Sequence, residues 1–407
     1  MATGSTTSSY QTVVGVAPEP QPATGTPVAA ASLYVPVRKL TPKNVIVKLE
    51  DLSWRGSMVE TVGVQNGPQS ATIAAEGDAF PDTFPFFLAG ILGDVAYTGG
   101  TNAGSPTTTT GALTAGTSTV VPVTSATGIV TGTVLAIDTA GLLELVTVLS
   151  VASLNVTLTQ PVAKSHLTAA TVQPVTAPFT DTIALYNGGN GQPVSQTWTD
   201  SDPLSTRQYA STRFSDLTVT FDSSKLVTYS ATGLSWATQS TTSAPVGPSY
   251  ASFGPAPAWA CQASYGGSTQ ATVQMAELSF KRSGSECIFT LQNTQNPYEV
   301  HVGPIALTVK LTIVASTELF LTDYLSGNQK VLLLNLTQGA GATATQIQFQ
   351  MSKLDLTDVT KNKGKSYIEF EVTGKAIGNT TDVGLSGGYS PCQATVKNAV
   401  APHTYAN

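Results

Sequence analysis

Apolar and polar residues alternate strictly over several stretches of this chain, and those stretches come in matched pairs. Val227-Thr-Tyr-Ser-Ala-Thr-Gly233 has the pattern of Ile368-Glu-Phe-Glu-Val-Thr-Gly374, each closing on Gly. Upstream, Leu217, Val219 and Phe221 alternate with Asp216, Thr218, Thr220 and Asp222, as Ile347, Phe349 and Met351 do with Gln346, Gln348, Gln350 and Ser352. A period of two puts one set on a buried sheet face and the other on a polar face. The pattern therefore predicts two similar antiparallel units in one polypeptide, the arrangement of an assembly protein whose copies close a ring or tile a surface.

The order of the other elements supports a duplication. Strands are expected at Asn44–Leu49 and Ala71–Ala75, then a helix over Phe84–Leu92 with Asp82 or Thr83 as cap, Pro85 in its first turn and Gly93 as its stop. The second half has a strand over Ile305–Val314, a cap at Ser316 or Thr317, a helix over Glu318–Leu325 and a stop at Gly327. A strand follows in each half, Ile183–Tyr186 and Val331–Leu336. Residues 99–175 interrupt the first half with short β runs (Thr119–Val123, Thr133–Ile137, Leu142–Val151, Asn155–Leu158), which reads as an inserted small β module. The expected organisation is an N-terminal arm at 1–35, flexible or laid out in extended form on a partner, and a first domain of 36–98 plus 176–240. The module at 99–175 interrupts that domain, and a Pro-rich linker at 241–256 leads to a second domain at 257–407. The fold class is mainly β, each domain carrying one helix.

With 407 residues there is ample chain for two or three domains. Charged residues make up 11%, far below the usual quarter or so, so the surface is polar but largely uncharged and suits contact with other protein. A net charge of −6 without a basic cluster argues against a grip on nucleic acid, which needs grouped Lys and Arg. Lys361, Lys363 and Lys365 flank Gly364 and read as a hairpin tip. The N-terminus lacks the basic and apolar regions of a signal peptide, and the apolar run Phe84–Leu92 is too short to span a bilayer.

Candidate chemistry is sparse. Cys261, Cys287 and Cys392 have no CxxC spacing; Cys261 and Cys287 can pair only if their strands are neighbours, and buried reduced thiols are expected. Gly364-Lys-Ser366 lacks the upstream Gly of a phosphate loop, having Val359 there, and leads into a strand rather than a helix. His166, His301 and His403 are far apart, with no zincin pair and no GxSxG elbow. Asp200/Asp202 and Glu369/Glu371 read as turn and strand-face residues rather than a glycosidase pair. Trp54, Trp198, Trp236 and Trp259 read as core or interface anchors. No catalytic residue, cofactor or metal site is expected, and the chain reads as a non-enzyme. A secreted surface-layer or adhesin-like β protein is the alternative reading, but it calls for an export signal.

An ordered set of short stretches resembles the major tail tube proteins of long-tailed bacteriophages, particularly those of actinobacterial hosts. The stretches are Val37-Arg-Lys-Leu-Thr-Pro-Lys43 leading to Trp54-Arg-Gly56, Asp82-Thr-Phe-Pro-Phe-Phe-Leu-Ala-Gly-Ile-Leu-Gly-Asp94, and Gln192-Pro-Val-Ser-Gln-Thr-Trp198. Arg207-Gln-Tyr209, Asn296-Pro-Tyr298, Val302-Gly-Pro304 and Asn379-Thr-Thr-Asp-Val383 complete the set. The resemblance covers about residues 36–95 and 178–400. It implies a β-sandwich or barrel whose copies form rings stacked into a virion tail tube. A tape-measure protein would fill the lumen, terminator and distal tail proteins would bind the ends, and DNA would pass through without specific binding or membrane contact. A duplicated chain is then expected to close as a trimer with pseudo-six-fold symmetry, the hexamer being the alternative. Asp216, Asp222, Glu369 and Glu371 are the expected acidic lumen residues, with Ile368, Phe370 and Val372 packing the core behind the last two.

Overall fold

Two long strands, each shifting register partway along, organise the computed structural model, which describes residues 8–20, 25–139, 142–241, 245, 248–250, 253–340 and 344–406. Outside the insertion the principal elements of the first half are β1 (Val13–Pro18), β2 (Lys39–Asp51), β3 (Gly63–Asp78), α1 (Phe84–Ile91), β4 (Gly93–Thr98), β5 (Phe179–Leu185), β6 (Gln196–Ser201), β7 (Thr206–Asp222) and β8 (Thr228–Ser235). Those of the second half are β9 (Cys261–Tyr265), β10 (Val273–Arg282), β11 (Ile305–Val314), α2 (Leu319–Ser326), β12 (Lys330–Gln338), β13 (Thr345–Asn362), β14 (Glu369–Ala376) and β15 (Gln393–Asn398).

Antiparallel pairing gives one sheet in the order β2–β3–β8–β7–β10–β11–β14–β13. Its first four strands and its last four follow the same scheme: a hairpin, then a returning strand, then a long strand. The long strands leave this sheet at their N-terminal ends. There β7 pairs β6, which carries β1, whereas β13 pairs β12 and β15, and β15 continues through β5 to β4. The second layer packs on the apolar face of the first. Phe349 of β13 lies 6.2 Å from Phe221, 6.1 Å from Phe280 and 6.3 Å from Phe84, joining both layers and both halves of the chain.

The two helices stand where the sequence places them, but they do different work. All eight residues of α1 are buried. Phe87 packs against Tyr229, Trp198 and Phe214, and the helix passes so close that a Cβ on Gly90 would meet Phe214 at 2.6 Å. In α2 only Phe320 and Asp323 are buried, and Gly327 closes the helix in the left-handed conformation at φ 66°. The N-cap positions belong to Thr83 and Glu318, and neither supplies a side-chain cap. In the second helix it is Thr317, one residue before the N-cap position, whose Oγ1 accepts a long hydrogen bond from the Leu319 amide at 3.5 Å.

Within the N-terminal arm, β1 pairs antiparallel with β6 of the same chain. Behind it, buried Glu19 accepts hydrogen bonds from Ser195 Oγ (2.9 Å), Thr197 Oγ1 (2.7 Å) and the Ser211 amide (2.7 Å). The linker expected at 241–256 falls partly outside the described residues. Residues 99–175 form a separate seven-stranded sheet around their own cluster of Leu113, Val121, Val123, Leu135, Ile137, Val146 and Val148. Within that module His166 is buried between Asp138 (3.2 Å) and Glu144 (2.7 Å). The C-terminal segment ties the module to the body: His403 Nε2 bonds the Leu145 carbonyl at 2.9 Å and its ring rests on Tyr97.

Beneath that tie lies a buried acid. Asp181 on β5 sits beside Tyr97 of β4 and Val396 of β15, and neither carboxylate oxygen has a well-formed hydrogen bond. Burial pushes its pKa up to about 8, with nearby Asn398 working in the opposite direction. The folded state thus holds a proton that the unfolded chain releases near pH 4, so stability falls as pH rises from about 4 towards 8. Asp181→Asn is expected to raise the melting temperature at pH 8, to change it little near pH 4, and to flatten the slope between. Thermal melts across that range check it.

Candidate functional site

The face of the long sheet opposite the core is polar along its whole width. Alternation puts Asp216, Thr218, Thr220 and Asp222 of β7 on this face, beside Lys281, Ser279 and Glu277 of β10. Lys310 and Thr312 of β11 continue it to Glu371 and Lys375 of β14, which face Thr360 and Asp355 of β13. On the other flank, Glu76 of β3 meets Lys39 of β2, Asp78 pairs with Arg38 just before that strand at 2.7 Å, and Lys43 lies opposite Thr72. Carboxylates outnumber lysines, and most of the lysines stand opposite an acid: Asp216 with Lys281, Lys375 with Asp355, Lys310 with Glu277 at 3.1 Å, Lys39 with Glu76 at 3.7 Å. With Arg38 on Asp78 and Lys225 on Asp222 counted, such a surface is close to neutral and its charges are paired, with no grouped cations to hold a phosphate chain.

The four acids expected on one surface do share it, but their environments differ. Asp216 and Glu371 lie along the face, half-buried and exposed respectively. Asp222 ends its strand. The Lys225 ammonium at 2.9 Å, with Ser224, holds its pKa down at about 2. Glu369 corrects the expectation of exposure: it is 2% exposed, covered by Lys365, whose Nζ lies 2.6 Å from its carboxylate. The tip of 363–368 folds its lysine back over the strand, so this acid neutralises a local cation instead of facing open solvent. Ile368 shows the reverse error, being exposed at the turn where it was expected in the core, while Phe370 and Val372 are buried as expected.

Two edges bound the sheet. β2 pairs only with β3, and the C-terminal half of β13 pairs only with β14, so each offers an open row of backbone groups among the described residues. At one end the β2–β3 hairpin runs on past β8, whose last partner on β3 is Ala71. Beyond that point both hairpin faces are exposed, including Val45, Val47, Leu49, Trp54, Met58 and Val64. Gln295 and Asn296, in the loop between β10 and β11, hold the base of the hairpin through Asn66 and Gln69.

A surface built this way, with open edges, an exposed apolar hairpin and a bland polar face, offers groups for contact with other protein. Cys261, Cys287 and Cys392 are all free thiols, and of these only Cys392 is fully buried. Among the described residues no group of His, Cys, Asp and Glu, the Asp138–His166–Glu144 chain included, is arranged to hold a metal ion, and no helix is long and apolar enough to cross a membrane. The family model for phage tail tube proteins matches residues 9–386, across both halves and the insertion. The chain belongs to the phage tail tube family. It is accordingly a structural protein of the virion, a major tail protein of mainly β fold. A comparison with curated proteins gave no match.

For this tail tube protein the Lys365–Glu369 pair provides a direct check on the geometry. Lys365→Met strips the counter-charge from a buried carboxylate and is expected to lower the melting temperature, because a buried acid left unpaired is costly. Glu371→Gln, on an exposed position two residues along, is expected to leave it within experimental error.

Proposed function

We propose that three copies of this chain close a pseudo-six-fold ring, that the rings stack head to tail, and that the polar face of the long sheet lines the bore through which DNA is delivered. In this reading the β2–β3–β8–β7 and β10–β11–β14–β13 segments are two copies of one tube domain, and residues 99–175 form a module on the exterior. A tape-measure protein would occupy the bore before DNA does, and terminator and distal tail proteins would close the ends. The resemblance to long-tailed phages of actinobacterial hosts supports this setting.

The observation that carries the proposal is the junction between the halves. Asp216–Asp222 of β7 pairs antiparallel with Met275–Lys281 of β10, so the first unit's long strand joins the second unit's first strand edge to edge. The same two edges are open at the ends of the chain, the long strand being β13 and the first strand β2. They also run in opposite directions, as the internal junction does. Joining β13 of one chain to β2 of the next repeats that junction between molecules, pairs both open edges and closes a ring in which every edge is used.

Charge favours the same register. Within the chain the junction sets Asp216 against Lys281. Lys43 on β2 lies opposite Thr72, without a carboxylate across from it, whereas Asp358 of β13 is exposed beside Thr373. Antiparallel joining by the shared scheme sets Val45 opposite Asp358 and Lys43 opposite Thr360, which leaves Lys43 and Asp358 as diagonal neighbours on one face. Lys43→Glu and Asp358→Lys are each expected to reduce ring formation, and the double exchange to restore it. Native mass spectrometry of the rings checks both claims: three chains per ring with rescue supports the proposal, while six chains per ring, or no rescue, counts against it.

A further inference from the structure

Where β10 ends and β11 begins, a cavity of about 630 Å³ opens between the long sheet and loops of the second layer. Arg282 and Ile305, directly opposite each other in the β10–β11 ladder, line it from the sheet. Alternation puts Arg282 on the same face as Leu278 and Phe280, both fully buried, so its side chain is directed to the core side of the sheet. Ile377, Tyr186 and Tyr389 add apolar and aromatic wall. No aspartate or glutamate lines the cavity. Its titratable residues are Arg282, His301, Lys375 and the two tyrosines, and Lys375 already stands opposite Asp355 on the polar face.

Arg282 is a buried cation without a counter-ion, being 4% exposed. Its Nε donates to the carbonyl of Ile91, the last residue of α1, at 2.7 Å, and Nη1 donates to the Gly303 carbonyl at 3.0 Å. Both acceptors are neutral, and Nη2 has no hydrogen-bond partner among the described residues. The charge that acts on it is a second cation, Arg213, which spends itself on Glu299 at 3.2 Å. Burial, and then repulsion from Arg213, pull the Arg282 pKa down to about 10, so the group is still charged at neutral pH. Closing the end of α1 needs only the first two bonds. An unpaired guanidinium held away from water is costly, and a carboxylate is the group whose geometry matches it best.

We propose that this cavity binds a small monocarboxylate with a flat apolar body, the carboxylate on Arg282 and the body against the isoleucine and tyrosine walls. The other polar side chains there are already spent: Asn187 on the Gly387 and Tyr389 carbonyls, Gln192 on both backbone groups of Val302. One charged contact and an otherwise apolar wall select a ligand with one charged end. Because Arg282 also holds the end of α1 and the Gly303 turn, occupancy ties both to the second layer.

The test uses the full chain, with sodium benzoate as the probe. Titration calorimetry is expected to show one saturable site per chain. Benzyl alcohol, which lacks the charge, is expected to bind at least about tenfold more weakly, and inorganic phosphate, which lacks the apolar body, is expected not to displace benzoate. Ile305→Glu sets a carboxylate directly across from Arg282 and is expected to abolish benzoate binding in a folded chain, whereas Ile305→Gln, of the same size without the charge, is expected to retain most of it. No saturable binding of benzoate, equal binding of benzyl alcohol, or undiminished binding in Ile305→Glu would each overturn the proposal. The comparison of benzoate with benzyl alcohol needs no variant, so it decides the matter even if a substitution disturbs folding. The site is complete within one chain, and its failure would leave the tail tube reading intact.

Discussion

The arrangement depends on an edge-to-edge backbone contact between β7 and β10. Each half of the chain forms only half a sheet, with one open edge on its hairpin strand and another on its long strand. An open edge presents unpaired amide and carbonyl groups and invites association. Inside the chain that problem is solved once, by seven successive residue pairs from Asp216–Lys281 to Asp222–Met275. The remaining two edges have the same identities and polarity, so the internal junction is the template for the joining of neighbouring molecules proposed above. The apolar side of this sheet is sealed by the second layer through Phe349 and by α1, leaving only its polar side to face outward.

That polar side is suited to a passage rather than a grip. Its cross-strand acid–lysine pairs are largely exposed and contribute little to stability, on the order of a few tenths of a kcal/mol each. Their effect is on the field. Opposed charges cancel within a few ångströms, and salt confines what field remains to about 8–10 Å. A polyanion near such a wall meets no cationic foothold.

Much of this was legible in the sequence because half-buried strands advertise themselves. Ile305–Val314 was predicted at its observed bounds, both helices were predicted to within a residue, and the alternation in β7, β8, β13 and β14 was read directly. Strands covered on both sides were not. In β6 five of six residues are buried, and in β1 five of six, so polar and apolar positions are not sorted by face and period two disappears. The N-terminal half of β7, buried almost throughout, is silent for the same reason. Glu369 was misread because strand periodicity takes no account of a lysine folding back from a turn. The hairpin was underestimated as well: Asn44–Leu49 reads as an ordinary strand, and nothing in its alternation says that it leaves the sheet. Trp198 and Trp54 illustrate the limit, one 1% exposed and the other fully exposed, since a single tryptophan carries no sign of which kind of anchor it is.

Cryo-electron microscopy of assembled tubes at side-chain resolution tests the central claim most directly, because it shows which face of the long sheet looks inward. The account predicts Asp216, Thr218, Glu371 and Lys375 on the bore, with β13 of each chain paired to β2 of the next. A bore lined by residues 99–175, or an interface between chains that leaves both of those edges unpaired, would contradict it.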